Sequence, residues 1–300
     1  MKLNQEPTID INQLRDYSSL FSTKNVAKWL DGDFSLIKTK ISRYNKTWLD
    51  ENKSCFDYLR HVYKVLEENY QNEYIFKNTF LNTFLNTELS KPPLKEDTKN
   101  PDVKWFNEFK VGNSIADLAM FNGKSIAFEI KTEMDSCKRL EAQIKSYTKI
   151  FNQVYLIIPE SKLSTYDRYD VGIITFNPNQ KKFKLRKRSP TYTINPDAIM
   201  NILHTSEYRS IVRQHYYSLP KNINSFNQFE LCSKLIKDIP IKKLNEYFIH
   251  HIKQRNVVSN DVLMFKNFKE FKQLGNALKM TKTQYQTMVT QLKLPIEYNL

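Results

Sequence analysis

The sequence predicts an α/β module held between two helical regions. Three observations predict it. The hydrophobic period changes from helical to alternating near residue 103 and back to helical near residue 195. An Asn122-Gly123 turn signal separates two alternating runs. An unbroken apolar run, Val154-Tyr155-Leu156-Ile157-Ile158, follows a helical stretch, as a buried parallel strand does.

The elements follow in order. Residues 12–90 read as helices. Leu20-Phe21 before Ser22-Thr23 is a helix start, and Val26, Trp29 and Leu30 recur at helical spacing. Tyr58, Leu59, Val62, Tyr63, Val65 and Leu66 form a broad stripe, and Glu73, Tyr74, Phe76, Phe80, Leu81, Phe84 and Leu85 form another helix. Residues 90–102 are polar and punctuated by proline, which predicts an exposed loop. Strands are expected over 103–109, 115–121 and 124–131, with Gly112-Asn113 turning the first into the second. Ser136 is positioned to cap a helix from 137 to about 151, with Leu140, Ile144, Tyr147 and Phe151 on one face. Strands at 154–158, 171–176 and 183–187 complete the module, and helical spacing resumes from 195 to a last helix at 281–294. The expected division is a helical region at 1–69, a core at 70–190 and a second helical region at 191–300.

Composition narrows the function classes. An apolar fraction of 40%, with 19 Phe and 17 Tyr, suffices for a core. Lys plus Arg outnumber Asp plus Glu by 46 to 32, for a net charge of +14. That excess points to a polyanionic partner, nucleic acid above all, with a basic surface kept for solubility as the alternative. Three scattered cysteines support neither a disulfide framework nor a zinc site. The five glycines form no phosphate-cradling loop, which argues against a nucleotide-hydrolysing motor. No signal peptide or membrane-spanning run is visible, so a cytoplasmic location is expected.

The chemistry concentrates in residues 117–131. Period 2 sends Glu129 and Lys131 to one face of a strand, and a hairpin at Asn122-Gly123 brings Asp117 alongside. Two carboxylates suit Mg²⁺, and a lysine beside them can orient or help deprotonate a water. The competing reading is an edge hairpin with a salt bridge. A carboxylate next to Leu118-Ala119-Met120-Phe121 is costly unless paired or liganded, which favours a site.

These residues, in this order of elements, resemble the PD-(D/E)xK nuclease superfamily with its restriction-endonuclease-like fold, α-β-β-β-α-β on a mixed sheet. The segments that carry the resemblance are Asn72-Glu73-Tyr74, residues 108–117, residues 128–133 (Phe-Glu-Ile-Lys-Thr-Glu) and Arg139-Leu140 with Gln143 and Tyr147, which look like a bacterial branch. Ala116 stands where the superfamily's name has proline. The resemblance implies Asp117 and Glu129 as metal ligands, the Ile130 carbonyl completing the coordination, and Lys131 orienting the attacking water. It implies Glu73 as an acid from the preceding helix and Gln143 as a contact to water or phosphate. Glu73 has the alternative of complementing its helix dipole, Gln143 and Tyr147 of being interface residues, and Glu108 of being solvated.

Lys184, Arg186, Lys187 and Arg188, with Arg139, are the candidate nucleic-acid contacts, a solvated strand face being the alternative. Tyr216-Tyr217 reads as core rather than a stacking platform, and His215, His250 and His251 as structural. The expected function is a Mg²⁺-dependent nuclease, with Mn²⁺ able to substitute. DNA is favoured over RNA, homodimerisation would allow both strands to be cut, and phage defence or mobile-element maintenance is the expected role. The rival is a non-catalytic or partner-activated nucleic-acid-binding module on the same fold.

Overall fold

A computed structural model of the chain describes residues 9–49, 53–70, 72–84, 103–133, 135–178, 180–255, 268–278 and 280–296. They form a mixed α/β protein of two compact units. The first joins the described residues of 9–84 to those of 268–296, and the second comprises those of 103–255. Three consecutive regions were expected from the sequence, and the packing divides the chain differently. The last helices share a core with the first ones, while the helices of 196–254 pack with the sheet.

The first unit is helical. Helices Ile11–Ser18, Thr23–Leu30, Ser35–Tyr44, Cys55–Asn69 and Glu73–Asn82 are joined by Lys272–Ala277 and Lys282–Leu292. Ser22 accepts from the Asn25 N–H at the start of the second helix, and Ser54 with Asp57 makes a reciprocal capping box at the fourth. The core is aromatic, with Tyr17, Trp29 and Tyr58 almost fully enclosed. Phe271, from the C-terminal segment, packs on Phe21 and Trp29 at ring-centroid distances of 5.6 and 5.3 Å. The expected loop at 90–102 lies outside the described residues.

The second unit is built on a six-stranded mixed sheet. Its strands are β1 (Lys104–Val111), β2 (Ser114–Phe121), β3 (Ser125–Ile130), β4 (Gln153–Pro159), β5 (Gly172–Asn177) and β6 (Lys182–Lys187), each beside its neighbour in sequence. β1, β2 and β3 are successively antiparallel, β3–β4 and β4–β5 are parallel, and β6 returns antiparallel. Gly112 at φ +58° and Gly123 at φ +94° make the two hairpin turns, at a backbone conformation that costs glycine nothing.

The parallel step from β3 to β4 requires a crossover, and helix Leu140–Tyr147 provides it. It is shorter than the sequence suggests. Ser136 is not its cap; Arg139 occupies that position and gives no side-chain cap bond. Asp135 instead accepts from the backbone N–H and hydroxyl of Thr132, closing a tight turn ahead of the helix. Leu140, Tyr147 and Phe151 cover one face of the sheet, where Phe121 also meets Phe248 of helix Ile241–Gln254. Every residue of β4 is buried, as a strand flanked by parallel neighbours should be. Gly172 on β5 is required sterically, since a β-carbon there would run into the Tyr155 ring.

Candidate functional site

Asp117, Glu129, Lys131, Gln143 and Tyr147 meet where β2, β3 and the crossover helix come together. The β2–β3 register pairs Leu118 with Phe128, so one further step sets Asp117 level with Glu129. The half-buried Asp117 accepts the Ile130 backbone N–H at 2.8 Å through Oδ2, tying its carboxylate to the end of β3. Glu129 is 3% exposed and Lys131 8%.

Lys131 Nζ donates to Glu129 Oε1 at 2.7 Å and to Gln143 Oε1 at 3.3 Å. Gln143 Nε2 donates to the same Glu129 oxygen at 2.6 Å. The Tyr147 hydroxyl lies 2.8 Å from Glu129 Oε2 and 2.6 Å from the Ile115 carbonyl. A hydroxyl carries one proton and can donate to only one of these oxygens. Burial first, and the Asp117 charge second, push the Glu129 carboxyl above its ordinary range, while Lys131 and Tyr147 pull it back. The Tyr147 hydroxyl is itself pushed well up by burial and by Glu129.

Chemically, this is a pair of carboxylates with an ammonium, an amide and a phenol in reach. The donors are hard oxygens of the kind Mg²⁺ prefers, and Mg²⁺ typically takes one or two carboxylates together with waters and substrate phosphate. The raised Glu129 carboxyl records burial first and repulsion from Asp117 second, and a cation would relieve the repulsion. Both Glu129 oxygens already have partners, so a bound metal would have to exchange at least one of them. Among the described residues no group of three or more His, Cys, Asp or Glu is poised for a metal. The donor set therefore fits only when completed by backbone carbonyl or water. The Ile130 peptide lies at the right strand end, through its N–H to Asp117.

The other predicted residues belong to the helical unit, are engaged by other partners or are exposed. Glu73 opens a helix of the helical unit and pairs at 2.6 Å with Lys77, whose side chain is 5% exposed. A buried ammonium needs a counter-charge, so Glu73 has a structural task there. Glu108 is exposed, at φ +55° within β1. The flanking pairs Asn107↔Leu118 and Phe109↔Ala116 set it level with Asp117. Such a backbone conformation costs a non-glycine residue about 1–3 kcal/mol.

Alternation along β6 turns Lys184 and Arg186 outward, as expected. Arg186, however, pairs with Glu160 and donates to Thr175 Oγ1 at 3.1 Å. Lys187 Nζ is held by the carbonyls of Asp167 and Tyr169 at 3.0 and 2.8 Å. Lys184 and Arg188 are exposed, and their side chains make no ion pair or hydrogen bond among the described residues. Arg139 is likewise exposed, and its carbonyl accepts the Gln143 N–H. Tyr147 is the member that residue-level reading left open as an interface residue. Its place four residues after Gln143, on the same helix face, is the signal that it too reaches Glu129.

Residues 66–282 match the family described as Bacteriophage P4 protein cII. The matched stretch covers well over half of the chain, including the whole sheet and every residue of the site. The chain belongs to this family. Protein cII of Enterobacteria phage P4 is 31% identical over 171 residues, covering 54% of this chain and 63% of that relative. The match thus spans less than two thirds of the phage protein. A solved protein of unknown function from Silicibacter pomeroyi aligns with 41% of this chain and 85% of its own, at 12% identity and a TM-score of 0.28. Among the described residues, no helix is long and apolar enough to cross a membrane.

Proposed function

We propose that this member of the cII family is a Mg²⁺-dependent nuclease of the PD-(D/E)xK type, hydrolysing phosphodiester bonds in DNA. The observation that carries the reading is the meeting of Asp117 and Glu129 with Lys131 and Gln143 at the end of β3. Two antiparallel steps followed by a parallel one through helix Leu140–Tyr147 support the β-β-β-α-β part of a restriction-endonuclease-like core.

Asp117 and Glu129, with the Ile130 carbonyl, would hold the ion. Bound Mg²⁺ would supply Lewis-acid polarisation of the phosphoryl oxygen and a more acidic water. Lys131, released from Glu129 once that carboxylate turns to a cation, would orient the attacking water and counter charge developing on the phosphoryl oxygens. Gln143 holds both Lys131 and Glu129, so it fixes their relative position. Tyr147 anchors the second Glu129 oxygen and limits which one can turn. The family's phage namesake favours a role on phage or mobile-element DNA, in line with the defence or maintenance role expected from the sequence.

The test is cleavage of plasmid, single-stranded DNA and RNA with Mg²⁺, Mn²⁺ or EDTA. Metal-dependent cleavage of DNA, abolished by Asp117→Ala, is expected. A folded wild type inert on all three substrates with both metals would overturn the proposal. One observation favours the rival, a binding module with idle chemistry: the Lys131 ammonium is already paired within the protein. Under that reading, calorimetry finds DNA binding that is indifferent to Mg²⁺ and to Lys131→Ala.

A further inference from the structure

A second feature of the sheet unit lies outside the carboxylate site. Helix Thr205–Tyr216 borders an open cavity of about 620 Å³, lined by His204, Thr205, Ser206, Arg209, Ser210 and Arg213. Every lining residue offers a hydrogen-bond donor, and none is a carboxylate. The one acid of this stretch, Glu207, is buried at 8% exposure and held at 2.7 Å by both Arg255 Nε and Nη2. Arg255 neutralises that carboxylate, whose Oε2 also accepts the backbone N–H of His204 at 2.7 Å, so its charge is satisfied within the protein. Arg209 is held in place by Gln228 at 3.1 Å, and Arg213 is exposed, its side chain without an ion pair or hydrogen bond among the described residues.

Aromatic rings lie along the segment that carries Gln228, the partner of Arg209. Phe229, 48% exposed, follows Gln228 and packs edge-on against Tyr208, 6.1 Å between centroids. Phe226 is 98% exposed and Tyr217 93%. Tyr216-Tyr217, expected in the core, stand instead at the end of the helix, with Tyr217 at φ +63° and its ring facing water. Phe226 sits in a well-defined loop. Asn224 Oδ1 accepts the N–H groups of Phe226 and Asn227 at 2.9 and 3.1 Å, and Asn227 Oδ1 accepts that of Asn224 at 2.7 Å. Exposed rings on the segment that holds Arg209, together with arginines and hydroxyls, have the composition that binds unpaired nucleotides. The arginines take phosphates and the aromatic faces take bases. A duplex keeps its bases stacked and offers the rings nothing.

We infer that the cavity at His204–Arg213, with Phe226 and Phe229, is a binding site for single-stranded nucleic acid. The inference does not depend on cleavage at Asp117 and Glu129. The test is fluorescence anisotropy in EDTA, with a labelled oligothymidylate of roughly 20 nucleotides and a duplex of equal length. The single strand should bind roughly tenfold more tightly than the duplex. Arg209→Ala with Arg213→Ala should weaken it by roughly tenfold and lower the salt slope by about 1.4, the share of two phosphates. Phe226→Ala with Phe229→Ala should weaken it by a similar factor and leave the salt slope unchanged.

Lys149→Ala with Lys242→Ala removes the same charge from exposed positions elsewhere and should change affinity by no more than about twofold. Should the double arginine variant fail to fold, Arg213→Ala alone carries the test. The inference is overturned if the arginine variants bind like wild type, if the lysine control loses as much affinity, or if duplex binds as tightly as single strand. Asp117→Ala should bind the oligonucleotide like wild type, so loss of cleavage and loss of this site are read separately.

Discussion

Lys131→Met asks whether the ammonium holds the Glu129 charge in solution. Methionine keeps an unbranched apolar stem and removes the charge that sits 2.7 Å from Glu129 Oε1. Stranding one partner of a buried pair costs about 3–5 kcal/mol when the other stays charged. Glu129 has an alternative, which is to keep a proton. Its carboxyl already lies above its ordinary range through burial and Asp117, and losing Lys131 removes the largest influence opposing that shift. The folded variant would then hold a proton that the unfolded chain releases near pH ~4.3. Stability rises with pH only where the unfolded state binds more protons; here the folded state does, so stability falls as pH rises. One extra proton gives a slope of at most about 1.4 kcal/mol per pH unit. Wild type slopes the same way but less steeply, because Lys131 is present. The gap between the two should therefore be smallest at low pH and widen as pH rises above the range of a free carboxyl. Urea denaturation without divalent metal at several pH values measures it. A gap that stays constant with pH would refute Lys131 as the counter-ion of Glu129.

The remaining expectations use the same site. Asp117→Asn keeps an acceptor for the Ile130 N–H and removes the charge that repels Glu129, so the metal-free protein should lose little or no stability at neutral pH. Cleavage should fall at least about a hundredfold, and any thermal upshift given by Mn²⁺ should vanish. Tyr147→Phe keeps the ring against Phe151 and removes the hydroxyl that Glu129 Oε2 and the Ile115 carbonyl share, for a cost of about 1–3 kcal/mol by denaturation and a loss of roughly tenfold in cleavage. Glu73→Gln removes the counter-charge of buried Lys77 and should lower the melting temperature, with cleavage per folded molecule within about twofold of wild type. A large catalytic loss in a well-folded Glu73→Gln variant would restore that residue to the reaction.

What could be read from the sequence was what lies close along the chain. The strands of 104–130 announce themselves by period 2 and by glycine turns. The Glu129–Lys131 pair follows from spacing alone, because a strand fixes which way each side chain points. Partners drawn from distant segments carry no such signal. Helical spacing gave the helix of Glu73 an apolar face without saying which core would receive it, and it went to the helical unit. Alternation turned Arg186 outward, yet Glu160 and Thr175, which engage it, come from other elements. The role of Tyr147 was hidden for a related reason. Its helix has several faces, and only the crossover geometry decides that the one bearing Gln143 and Tyr147 meets β3.

The cost of the site argues that it is kept for a reason other than folding. Ile126, Ala127 and Phe128 on β3 are fully buried, and the strand then delivers a glutamate and a lysine into nearly the same degree of enclosure. An apolar pair of similar volume would do the structural work at no loss, and often at a gain, because two desolvated charges seldom recover their hydration. Here the penalty is deepened by Asp117, which adds a like charge beside Glu129 rather than a second cation. A network designed only to hold the sheet would not bring two carboxylates together. A site awaiting a cation would, since the repulsion that destabilises the metal-free protein becomes attraction once the ion binds. Divalent metal should therefore raise the stability of wild type more than that of Asp117→Asn, whether or not a nucleic acid is present to be cut.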